Sequence, residues 1–179
     1  MVIFKRVPAW GQIAPVYAVI VLMIYTWTIL WFFWKLPSWL FFLNTGEIAI
    51  AFAYSLATNL MESLVVLGGA LILSMLLPKE WFFDQFVARG ASLALSGLGY
   101  MMYVAFQFKT NADYPSLTLK AWSLALAALV ILVIVYLAGR LALIRKLIEY
   151  IADRAIIFLY ISLPLSLISL VVVLIRWVI

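Results

Sequence analysis

Apolar residues run along this chain in blocks of about 20 positions, the length a helix needs to cross a hydrocarbon layer of about 30 Å. Short polar or proline-bearing stretches separate the blocks. Inside them apolar and polar residues do not alternate with a period of two, so barrel strands are excluded, and helices are the other structure that satisfies every backbone group in lipid. The pattern predicts five transmembrane helices, at 14–34, 45–77, 81–108, 117–138 and 155–175. The expected fold is an all-α integral membrane protein. It is a single transmembrane domain of about five helices with short loops and one or two interfacial amphipathic segments.

The boundaries have physical causes. Lys5 and Arg6 precede the first block, but it is long, aromatic and without a small-residue cleavage site, so an uncleaved span is expected. It ends at Lys35 and Pro37, followed by an aromatic stretch, Trp39 to Phe42, expected in the interface. Asn44, with Glu47 three positions later, predicts a capping box at the start of the second helix, and Pro78 stops that helix. At about 1.5 Å per residue it is roughly 50 Å long, and must tilt, emerge or kink at Gly68 and Gly69.

The segment Pro78 to Ala88 mixes Trp81, Phe82, Phe83 and Phe86 with Lys79, Glu80 and Asp84, which predicts a chain lying flat at the interface with Arg89 at its edge. Were it instead the first turns of the third span, Arg89 would be buried. Lys109 to Ser116 is the clearest loop. Leu141, Ile144, Leu147, Ile148 and Ile151 recur at helical spacing with Arg145, Lys146, Glu149 and Asp153 between them, which predicts an interfacial helix before the last span.

Composition agrees with the pattern. Hydrophobic residues make up 69% of the 179 positions and charged residues 11%, against roughly 45 to 50% and about 25% in soluble domains. The net charge of +5 is spread over short loops, where it sets topology and attracts anionic lipid; nucleic acid is not an expected partner. With the N-terminus inside, eight Lys and Arg fall on the inner side and four on the outer. The expectation is a multi-pass protein of the cell membrane, N-terminus cytoplasmic and C-terminus outside.

Candidate chemistry is sparse. The chain has no cysteine and no histidine, which removes thiolate clusters, the usual haem ligands, imidazole bases and most zinc sites, so no metal and no cofactor is expected. Gly90, Ala91 and Ser92 match part of the serine motif of rhomboid proteases, but Leu93 follows and no histidine is available as base. No enzyme motif is found.

The most informative residue is Glu62, in the middle of the second span, with Asn59 one turn before it and Ser63 beside it. An ionisable group inside a span is costly and usually faces protein; it is either a binding carboxylate or a protonated packing contact. The third span carries Arg89, Ser92, Ser96, Tyr100, Tyr103 and Gln107 on one face. If the two spans form a hairpin turning at Leu77 and Pro78, Asn59 is level with Ser96 and Glu62 stands beside Ser92. Glu62 and Asn59 are then expected to bond Ser92 and Ser96, with Arg89 snorkelling to the headgroups. Trp27, Trp31 and Trp34, with Trp39 nearby, form a stripe that reads as interfacial anchors or a lipid platform. Ser162, Ser166 and Ser169 share a face around Pro164.

These features favour a small non-catalytic subunit or scaffold that works by packing helices against a membrane protein partner or a second copy. A small transporter or channel using the polar cluster around Glu62 is the alternative from another class, and an accessory factor in envelope lipid or polysaccharide metabolism is a third.

Overall fold

The computed structural model describes residues 8–110 and 120–178, and all the regular structure among them is helical. The long helices are α1 (Trp10–Trp39), α2 (Thr45–Leu76), α3 (Phe86–Thr110), α4 (Ala121–Arg140) and α5 (Ala142–Val178). Lys5 and Arg6, and the expected loop from Asn111 onward, lie outside the described residues.

Four of the helices, α1, α2, α4 and α5, are long and apolar enough to cross a membrane. The expected fifth, α3, falls short of that measure although it is 25 residues long. The reason is composition: Arg89, Ser92, Ser96, Gly97, Gly99 and Gln107 dilute its apolar surface, and its first turns are instead covered by protein, with Phe86, Ala88, Arg89, Gly90 and Ala91 all buried.

Helix α1 is the axis of the bundle. Its first half, from Ile13 to Tyr25, is almost wholly apolar and enclosed by the others, and Val16, Ala18, Val19, Ile20 and Val21 have no exposed surface. Helices α2, α5 and α3 surround it; α2 touches α5 and α5 touches α3, but α2 and α3 scarcely meet. Helix α4 leans on α3 and α5 and buries only Val135, Ala138 and Gly139, near its C-terminal end.

The sequence signals at the ends of α2 hold. The Asn44 side chain accepts from the Glu47 N–H at 2.9 Å and the Glu47 carboxylate accepts from the Asn44 N–H at 2.9 Å. Leu77 leaves the helix in an extended conformation ahead of Pro78. Two features differ from expectation. Residues 79–85 form two 3-10 turns, Lys79–Trp81 and Phe83–Gln85, and Phe82 is buried in the core, so the segment is tucked under the bundle and Arg89, with 7% of its surface exposed, sits inside it.

The amphipathic stretch after Arg140 is likewise not a separate helix but the start of α5. Only Leu141 interrupts α4 and α5, and α5 continues unbroken through Pro164 for 37 residues, about 55 Å. Ile148, Ala152 and Ala155 bury one face of its first turns in the core.

Candidate functional site

Because α2 and α3 both lean on α1 without closing on each other, an open groove runs between them. Ile20 of α1 forms its floor; Val66, Gly69, Ala70 and Leu73 form one wall, and Gly90, Leu93, Ala94, Gly97, Leu98 and Met101 the other. This part holds about 220 Å³ and is almost wholly apolar. A second hollow of about 200 Å³ shares Leu98 and Met101 with it and is lined further by Ile24, Trp27, Thr28, Glu62, Met102 and Ala105. The two share one wall and open to the side, with a single carboxylate, Glu62, in the second.

Glu62 is exposed in this groove and forms no hydrogen bond or ion pair with the described residues. The expected bonds from Glu62 and Asn59 to Ser92 and Ser96 are not made. Ser92 Oγ donates to the Arg89 carbonyl at 2.9 Å and Ser96 Oγ to the Ser92 carbonyl at 2.7 Å, so both close on their own helix. The register differs from a hairpin turning at Leu77 and Pro78 because two 3-10 turns intervene between the helices. Helix α3 starts only at Phe86, and equal counts from the true helix ends bring Glu62 level with Tyr100.

The polar face of α2 divides between two surfaces. Asn59 and Ser63 turn toward α1, where Thr28 Oγ1 donates to Asn59 Oδ1 at 2.8 Å and the Tyr17 hydroxyl lies 3.2 Å from Ser63 Oγ. Ser63 spends its own proton on the Leu60 carbonyl at 2.9 Å, so Tyr17 is the donor. On the other side of α1, the Tyr25 and Ser166 hydroxyls are 2.7 Å apart, which gives the serine face of α5 its partner. These three contacts pin α1 to α2 and to α5. Tyr17 and Thr28 stand three helical turns apart and so share a face, a signal that could have paired them with Ser63 and Asn59.

Arg89 anchors a second polar cluster, at the end of the bundle where α1 begins. It lies against the end of α4: a side-chain carbon on Gly139 would meet Gln85 Oε1 at 2.5 Å and Arg89 Nη2 at 2.6 Å. Gly139 is therefore the residue that lets the guanidinium in, a role not evident from sequence. Beside it a cleft of about 270 Å³ is lined by Gln12, Asp84, Gln85, Arg145 and Glu149. Arg89 is thus remote from Glu62.

The tryptophan stripe is present at the other end. Trp27 and Trp31 meet edge to face with centroids 5.4 Å apart, and Trp31 and Trp34 at 5.5 Å. Trp39 packs on Phe32 at 5.4 Å, and Phe32 on Phe52 of α2 at 4.7 Å. Trp27, Trp31 and Trp39 line a further hollow with Thr28, Phe32, Lys35 and Ser55. Among the described residues no group of acidic side chains is placed to hold a metal ion.

No family model, no curated protein and no solved structure matches the chain.

Proposed function

We propose that this chain is a small non-catalytic membrane subunit that receives a transmembrane helix of another membrane protein in the groove between α2 and α3. The glycines of that groove carry the reading. Gly90 is needed by the chain's own packing, since a side chain there would meet Val16 at 3.1 Å, whereas a side chain at Gly69 or Gly97 would meet nothing within 4 Å. Glycine in a helix interior weakens it relative to alanine by roughly 0.5 to 1 kcal/mol. Small residues at an open surface let a second helix approach closely, which is how helices associate in lipid.

The partner is a different protein rather than a second copy of this one. The outward face of α5 carries exposed polar groups, Tyr160 at its middle and Arg154 and Arg176 nearer its ends, but α5 lies on the side of α1 away from the groove. A contact between that face and the groove would be head-to-tail and would build open chains rather than a closed dimer. A transport path is also less well supported, because the cavity at Glu62 opens sideways toward lipid while α1 fills the bundle's centre with apolar side chains.

In this reading α3 crosses the bilayer as a fifth span, with Arg89 and Ser92 of its polar side buried in the bundle. The N-terminus is then cytoplasmic and the C-terminus outside, the arrangement that puts the larger share of Lys and Arg inside. The protein purified from its own membranes in mild detergent should carry a stoichiometric protein partner that Gly69→Leu and Gly97→Leu remove without unfolding the chain. Purification as a lone monomer, unchanged by those substitutions, counts against the reading.

A further inference from the structure

The docking groove has a polar feature that an apolar helix would leave unused. Glu62 stands at mid-length of α2 and is exposed toward the groove, and the one hydroxyl that lines the hollow with it, Thr28, donates its proton to Asn59. A carboxylate facing hydrocarbon at this depth is costly, and such groups in spans usually pair with another group. The rest of the hollow suits a cation. Trp27 offers the aromatic type that attracts cations best, and Met101 and Met102 add soft, polarisable thioethers. A neutral donor would use the carboxylate but gain little from the indole.

Resting on the helix-docking function proposed above, we propose that the partner helix carries a lysine or arginine at mid-bilayer depth, which pairs with Glu62 and lies against Trp27, while Gly69 and Gly97 admit its backbone alongside. The partner is thereby defined by two requirements: small residues on the docking face and one basic residue among them. An acyl chain meets neither requirement, and a free lipid amine meets only the second, since headgroups lie at the bilayer surface.

The test uses the full chain reconstituted in phosphatidylcholine vesicles, with energy transfer to labelled oligo-leucine peptides of about 23 residues, long enough to span. The peptides bear lysine, glutamine or leucine at the central position. The lysine peptide should bind about tenfold more tightly than the leucine peptide, in the range that interhelical polar contacts supply. Glu62→Gln should abolish that preference, and Gly97→Leu should weaken both peptides. Met101→Trp, which narrows the same groove from an exposed position, replaces Gly97→Leu if that variant fails to fold.

Equal binding of lysine and leucine peptides, lost on narrowing the groove, overturns the basic partner and leaves helix docking standing. A glutamine peptide that binds as well as the lysine one also overturns it. Binding indifferent to both Glu62→Gln and groove narrowing overturns the docking function as well.

Discussion

Thr28 donates to Asn59 at 2.8 Å, and this one bond divides the polar face of α2 into a part that holds the bundle together and a part that does not. Asn59 and Ser63 are buried against α1, whereas Glu62 faces outward into the groove. The cluster read as a single site along the sequence is therefore two surfaces with different roles.

The first surface should be measurable as coupling. Thr28→Val and Asn59→Leu should each destabilise the bundle, and the double variant by less than their sum, with a coupling of about 0.5 to 1.5 kcal/mol. Unfolding in mixed micelles of the four proteins measures this; strict additivity would mean that the bond contributes nothing.

Tyr25 and Ser166 should behave asymmetrically. With Tyr25→Phe, the Ser166 hydroxyl can turn back to a carbonyl of its own helix, as Ser169 already does to Leu165 at 2.9 Å. Ser166→Ala instead strands a buried phenol, at a cost of about 1 to 3 kcal/mol. Thermal denaturation in detergent should rank Ser166→Ala as clearly the more damaging of the two.

The glycines separate into those the chain needs and those it does not. Gly139→Ala drives a methyl into Arg89 and Gln85, so it should cost about 1 to 3 kcal/mol, as overpacking does. Gly97→Ala meets open space and should stabilise the isolated chain by about 0.4 to 1 kcal/mol. The same denaturation experiment compares them, and equal effects would show that the Gly139 contact is not close.

Glu62 should be nearly silent in the isolated protein. It forms no bond within the described chain, so Glu62→Gln should lower stability by no more than about 0.5 kcal/mol. A large loss would place Glu62 in the folding core and remove it from the docking surface.

Much of this was legible along the chain, for reasons that residue types explain. Asn44 and Glu47 announce the start of α2 because a capping box is a local device, and Pro78 ends that helix for an equally local reason. The course of residues 79–85 was not legible, since Phe82 finds its place only once the core, with Phe86 of α3 against it, is assembled. That one irregular link moved the register of α3 and with it every inferred contact between Glu62 and the serines. Gly139 and Tyr25 were missed for a related reason: their partners, Arg89 and Ser166, are far away in sequence, and nothing in their own neighbourhood marks them.

The docking groove is tested most directly by placing a photoreactive benzoylphenylalanine at Met101, in the groove, and at Ile168, exposed on α5, and irradiating native membranes. Met101 should give one discrete protein adduct that Gly69→Leu abolishes, while Ile168 gives none. Lipid adducts alone at Met101, or the same protein adduct from both positions, would contradict the account.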